Sequence, residues 1–358
     1  MIRPRDEVAL MEGYHSPQVS VDVRLNTNES PTAPPAAWQA AFEKAVQIVD
    51  WNRYPDRAAT DLRAAIARLH DVDPAQVFVA NGSNEVLQTL LLTYGGAGRT
   101  AAMWEPTYAL HGHISRLTGT RVVQGERASD LSTDLDEVRR VFAESSPSVA
   151  FLCSPNNPTG MVDDEATVRT VLDLAVAAGA LLVVDEAYAQ FAPWSALGLV
   201  ADGVPLVGTR TFSKTWSMAA ARLGYLIGPA EIVAELEKVV LPYHLDTAKQ
   251  IAGTLALDYV DEMDERVAHL VEERGRLVAR LADLPLQVWP SAANFVLFRP
   301  RPDAAVPAGD DLWQALLDRS ILVRNFSAMP RLEGCLRVTI GTPEENDTFL
   351  DALTEILT

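Results

Sequence analysis

Disulfides, membrane spans and repeats are all missing from this chain, and positive charge is scarce. Only two of its 358 residues are cysteine, Cys153 and Cys335. Two give no disulfide framework, and each reads as a small buried hydrophobe. No apolar run reaches the length of a membrane span. The opening MIRPRDEVALMEGYHSP lacks the apolar centre of a secretion signal, so a cytoplasmic location is expected. Lysine and arginine number 30 against 48 aspartates and glutamates, a formal net charge of −18. Such a surface repels nucleic acid and anionic membrane, and neither is expected as a partner. An anionic small substrate then requires a local group of arginines.

What is present is a globular composition, 48% hydrophobic, with length enough for a large core and a two-part architecture. Short β-rich runs alternate with longer helical patterns. AQVFVA, RTAAMWEP, RVVQGE, PSVAFLC, ALLVVDEAY, PLVGTRTFSK and RLGYLIGP each read as a strand ending in polar or turn residues. VAFLC and LLVV are continuously apolar, as strands covered on both faces are. The alternation predicts an α/β fold with a mostly parallel central sheet between helices, over residues 44–242. From about Thr247 to Leu284 the periodicity is helical, and NFVLF, ILVRNF and CLRVTI then read as strands of a smaller α+β domain, 243–358. Residues 1–43, with prolines at 31, 34 and 35, form an arm and part of the small domain.

In open α/β sheets ligands collect at the carboxyl ends of the strands. After VFVA comes Asn81-Gly82-Ser83-Asn84-Glu85, which opens a helix. Its backbone N–H groups suit a phosphate, or simply an N-capped turn. After AFLC comes SPNNPTG, with Asn157. After LLVV come Asp185 and Tyr188. After LVGTR come Thr211, Ser213, Lys214 and Arg222. An anion cradle, an acid, a tyrosine, an asparagine and a lysine thus share one predicted sheet edge. Pyridoxal phosphate requires such a set: a lysine for its aldehyde, an acid for its ring nitrogen, and amides, hydroxyls and an arginine for its phosphate. In a partly dry pocket beside Arg222, Lys214 is expected to have its ammonium form disfavoured, which frees the amine for attack and for proton transfer.

The motifs NGSNE, SPNNPTG, DEAY, TFSKTWSMAAARLGY and LRVTIGTPEEN together resemble the fold-type I pyridoxal-phosphate-dependent aminotransferases, and within them most closely the histidinol-phosphate aminotransferase group. The likeness runs from RLNTNES nearly to the C-terminus. It implies that Lys214 is the Schiff-base lysine and that Asp185 pairs with the ring nitrogen. Asn157 and Tyr188 would bond the ring hydroxyl, and Tyr108, in WEPTY, would stack on the ring. Ser83, Asn84, Thr211, Ser213 and Arg222 would hold the phosphate. It also implies a homodimer with shared sites, in which Tyr54, in NRYPD, reaches the neighbouring subunit's phosphate. Arg337, Arg324, Tyr14 and Tyr243 would surround the substrate. Ala220 and Ala292 depart from the group's common glycine and aspartate.

The expected activity is transfer of an amino group to a 2-oxo acid such as 2-oxoglutarate, with histidinol phosphate as donor in histidine biosynthesis. An aromatic aminotransferase acting on phenylalanine or tyrosine, or a decarboxylase like that of threonine phosphate, keeps the same fold and cofactor. A ligand-sensing module derived from this fold is disfavoured by the acidic charge and the complete catalytic set. His111 and His113 do not read as a metal pair, since residues two apart on a helix point about 200° apart. No metal is expected.

Overall fold

The computed structural model describes residues 2–9, 11, 13 and 19–358. Its strands, in chain order, are β1 (Val23–Leu25), β2 (Val77–Ala80), β3 (Thr100–Glu105), β4 (Arg121–Glu126), β5 (Val149–Cys153), β6 (Leu181–Asp185), β7 (Leu206–Thr211), β8 (Gly224–Ile227), β9 (Leu286–Val288), β10 (Phe295–Pro300), β11 (Ile321–Asn325) and β12 (Leu336–Thr339). A seven-stranded sheet has the order β2-β8-β7-β6-β5-β3-β4. β7, β6, β5, β3 and β4 run parallel. β8 lies antiparallel between β2 and β7. The expected mostly parallel sheet is present.

Every residue of β5, β6 and β7 is buried, because helices cover both faces. On one face Phe151 and Val183 join Leu87 and Leu90 of the helix Ser83–Tyr94. On the other, Leu152 and Val184 join Val138 and Phe142 of the helix Leu135–Ser145 and Val168 and Val171 of the helix Glu165–Ala178. Neighbouring residues of one strand therefore serve opposite layers, and the strands gain apolar burial on both sides.

A second, five-stranded sheet has the order β1-β11-β12-β10-β9. β10, β11 and β12 are the strands expected at NFVLF, ILVRNF and CLRVTI. β1 and β9 were not foreseen. Each has three residues, too few for a period to register. β1 pairs parallel with β11 across nearly the whole chain. The stretch expected to be helical from about Thr247 is two helices, Thr247–Ala256 and Val260–Ala282. The second helix starts in the core of the first, with Met263 beside Ala252 and Ala256, and then runs on to another. A Cβ on Gly253 would sit 2.4 Å from Leu223 and 2.9 Å from Leu62, so the first helix lies tightly against the large part. Leu270, Leu277 and Leu281 of the second pack under the small sheet. Among the described residues no helix is long and apolar enough to cross a membrane.

One ion pair is buried beneath the edge where the motifs meet. Arg210 Nε donates to Glu186 Oε2 at 2.9 Å, and Ser195 Oγ lies 2.8 Å from both Arg210 Nη2 and Glu186 Oε2. The Ala196 N–H donates to Glu186 Oε1 at 2.6 Å. With every partner in place the charges are tolerated; with one removed the other is stranded. Arg210→Met alone is expected to lower the unfolding free energy by about 3–5 kcal/mol in chemical denaturation. Arg210→Met combined with Glu186→Leu should recover most of that loss. Equal losses in the single and double variants would contradict this account.

Candidate active site

The sheet edge holds a built anion cradle. Ser83 begins its helix, and Gly82 caps it with φ 83°. Space there is tight: a Cβ on Gly82 would lie 2.8 Å from Arg222 Nη2, and one on Gly224 would lie 2.4 Å from the Ser83 nitrogen. The two glycines let β8, the helix start and Arg222 approach one another. Arg222 Nη1 donates to Ser213 Oγ at 3.2 Å. The Ser213 N–H donates to Thr211 Oγ1 at 3.1 Å. Two hydroxyls, a guanidinium and a helix N-terminus thus converge, a combination suited to phosphate.

Lys214 Nζ donates to the Thr27 carbonyl at 3.1 Å and lies 5.7 Å from the Tyr188 ring centroid. Burial, reinforced by the charges of Arg337 and Arg222, lowers its pKa from 10.5 to about 7. Asp185, at the end of β6, is buried. Its Oδ1 accepts from Thr209 Oγ1 and from the Ala187 N–H, both at 3.2 Å. Its Oδ2 lies 2.9 Å from His111 Nε2, whose ring stacks on Phe151. Because the carboxylate accepts, Nε2 carries the proton in that bond. Tyr188 accepts at its hydroxyl from Asn28 Nδ2 at 2.9 Å, and burial raises its pKa to about 12. Tyr108 donates to Asn84 Oδ1 at 3.2 Å.

Opposite the sheet edge stands a wall from the small sheet. Arg324 of β11 and Arg337 of β12 are register partners, so they sit directly across from each other. Arg337 donates to Asn157 Oδ1 at 2.5 Å and to the Asn26 carbonyl at 3.0 Å. Its guanidinium carbon lies 4.9 Å from the Phe295 ring centroid and 5.2 Å from that of Phe326. Like charges directly opposed in a sheet are unfavourable, and an anion between them relieves the repulsion.

These groups line one cavity of about 450 Å³. The sequence-predicted Ser83, Asn84, Tyr108, Asn157, Asp185, Tyr188, Thr211, Ser213, Lys214, Arg222, Arg324 and Arg337 all reach it. Tyr54 and Tyr243 do not line it; they stack on each other with centroids 4.5 Å apart. Tyr14 lies outside the described residues. Ala220 lines the cavity, whereas Ala292 lies apart from it and donates to the Gly160 carbonyl. Sequence reasoning missed Asn26, Thr27, Asn28 and Glu29 as lining residues, and also Phe326 and Met329. It also missed His111 as the partner of Asp185. The one available signal for His111 was its place a helical turn after Tyr108. Among the described residues no His, Cys, Asp and Glu cluster could hold a metal. An aldehyde-reactive amine, a fixed carboxylate, an aromatic face and an anion cradle together fit a small aromatic phosphate that carries a carbonyl.

Known proteins resemble the chain over nearly its full length. The family described as aminotransferase class I and II matches residues 20–353. A histidinol-phosphate aminotransferase of Streptomyces avermitilis is 42% identical, covering 98% of this chain and 96% of that one. Another, from Thermobifida fusca, is 43% identical over 98% of this chain and 94% of its own. In structure, the histidinol-phosphate aminotransferase of Sinorhizobium meliloti, solved in complex with pyridoxal-5'-phosphate, superposes with a TM-score of 0.88. It is 24% identical and covers 100% of this chain and 98% of that one.

The free amine is the form that attacks an aldehyde, so capture by Lys214 should rise as pH passes its lowered pKa. Borohydride trapping of pyridoxal phosphate on the chain, read by mass spectrometry, is expected to reach half its maximal rate near pH 7. Arg337→Ala removes a positive charge and should move that midpoint upward. A midpoint near that of an ordinary lysine in the unaltered chain would contradict the account.

Proposed function

The chain belongs to the class I and II aminotransferases, and from that premise we propose that it moves the amino group of histidinol phosphate to 2-oxoglutarate in histidine biosynthesis, with pyridoxal phosphate as cofactor. When bound, the cofactor supplies an aldehyde and an electron-withdrawing ring that acidify the α-C–H of an attached amine. The chain's residues do the rest. The N-terminus of the helix at Ser83, with Asn84, Thr211, Ser213 and Arg222, holds the phosphate. Asp185, steadied by His111 and Thr209, would keep a proton on the ring nitrogen. Asn157 and Tyr188 would bond the ring hydroxyl, and Tyr108 would cover one face. Lys214 would hold the cofactor through its aldehyde. Its amine is placed to accept and return the proton of the donor's α carbon, a role that a pKa of about 7 would suit near neutral pH.

The observation that carries the donor is the Arg324–Arg337 register pair. One guanidinium suffices for an α-carboxylate, and two opposed ones suit a dianionic phosphate better. The curated relatives at 42% and 43% identity, named for histidinol phosphate, support the same donor. The cofactor set falls in residues 44–242, and the arginines in 243–358, joined by part of 1–43. A cytoplasmic homodimer completes the reading. Its support is a set of apolar side chains, Ile48, Trp51, Tyr54, Leu241 and Tyr243, each at least 43% exposed, of which Tyr54 and Tyr243 stack on each other. The second copy covers these side chains and receives Tyr54 near its phosphate, while Tyr243 stands near the substrate.

A donor screen with 2-oxoglutarate tests the activity. Lys214→Ala should abolish transfer. A charge-assisted contact is worth about 1.5–3 kcal/mol, so Arg324→Ala should lower kcat/KM for histidinol phosphate by roughly tenfold or more while phenylalanine is much less affected. If the unaltered enzyme prefers phenylalanine, or both donors suffer equally, an aromatic aminotransferase replaces this reading. Release of carbon dioxide without transfer would point to a decarboxylase instead.

A further inference from the structure

Asn81 and Glu85 belong to the NGSNE stretch, yet neither lines the cavity. Asn81 follows the last residue of β2 and precedes Gly82, so it stands one residue from the backbone of the anion cradle. Its side chain is used at both ends. Oδ1 accepts from Lys249 Nζ at 2.6 Å. Nδ2 donates to the His244 carbonyl at 2.9 Å and to Glu85 Oε2 at 2.8 Å. The Asn81 N–H also donates to Glu85 Oε2, at 2.5 Å. Lys249 has a second partner in Asp246, at 3.1 Å. His244 closes the clamp from the far side. Its Nε2 lies 2.9 Å from the Val79 carbonyl, which only accepts, so that nitrogen carries the proton. Its ring stacks on Phe78.

The clamped segment begins with Tyr243, which has φ 61° and stacks on Tyr54. Gln250 fastens the two segments to each other, donating from Nε2 to the Asp56 carbonyl at 2.8 Å and to the Leu245 carbonyl at 2.9 Å. On the outside of this assembly Tyr54 is 80% exposed and Trp51 69%. An apolar platform of that kind calls for a cover, and under the dimer reading above, on which this inference rests, the cover is a second copy of this chain. We propose that Asn81 is the positioning residue that joins the anion cradle to the Tyr54–Tyr243 platform, so that phosphate binding and association of two copies strengthen each other through it. An anion fixes the Gly82–Ser83 backbone. Asn81 shares that backbone, and it passes the order to residues 243–249 through two side-chain bonds, to His244 and from Lys249. Linkage makes the effect reciprocal.

The test is the dimer dissociation constant from sedimentation, with and without saturating pyridoxal phosphate, in a Tyr54→Phe background. That background lacks the hydroxyl that would touch the neighbour's phosphate directly, so any coupling left runs through the fold. There the cofactor is expected to tighten the dimer by about fivefold or more, the lower end of ordinary coupling. Adding Asn81→Ala, or separately the more peripheral Lys249→Met, should bring that ratio close to one, with Lys214 still trapping the cofactor. If both double variants keep the Tyr54→Phe ratio, or if Tyr54→Phe alone already shows none, the proposal is overturned while the dimer reading stands. If the unaltered chain stays monomeric with cofactor bound, the dimer reading falls and the proposal with it.

Discussion

A half-buried amine held beside guanidinium groups constrains everything around it. Lys214 Nζ has the Thr27 carbonyl as its hydrogen-bond acceptor, and Arg337 and Arg222 both disfavour its charge. A carboxylate in contact would relieve that stress and would also return the lysine to its ordinary, unreactive form. The fold instead keeps its nearest buried acids engaged elsewhere. Asp185 is tied to His111 and Thr209, and Glu186 to Arg210, Ser195 and Ala196. Adjacent in sequence, these two acids serve opposite sides: one lines the cavity and the other is locked beneath it.

The same constraint accounts for the use of two sheets. The parallel sheet presents its strand ends along one edge, which supplies the lysine, the acid and the cradle. It cannot also supply a facing wall of positive charge, since strands of one sheet do not turn back over their own ends. The small sheet provides that wall, with Arg324 and Arg337 opposed across β11 and β12. Phe295 and Phe326 lie against the Arg337 guanidinium. Their ring faces favour the cation without neutralising it.

Much of this was legible in the sequence because each chemical motif directly follows an apolar strand. Asn157, Asp185 and Lys214 could be assigned to one edge once VAFLC, LLVV and PLVGTRT were read as neighbours. His111 was not legible in the same way. Its meaning depends on Asp185, 74 residues away, and on a helix its spacing from His113 suggested only what it does not do. Asn28 and Thr27 were hidden for another reason. They follow a strand of three residues in an arm without periodicity, and only pairing with β11 brings them to the site. That the two arginines lie on successive strands could be read directly; that they face each other is a matter of register, which a single sequence does not encode locally. The long helical pattern concealed its break because both halves are amphipathic and only their partners differ.

The pairing of β1 with β11 has a consequence for the order of events on the ribosome. Leu25 meets Val323, so the segment carrying Thr27 and Asn28 waits for a partner that is synthesised much later. At usual rates of elongation that interval is on the order of half a minute. During it the strands of the parallel sheet are all complete by Ile227, while the arginine wall is still to be made. In that interval Lys214 lacks the Arg337 charge, one of the causes of its lowered pKa. Its surroundings are complete only once β11 and β12 have joined β1 in one sheet.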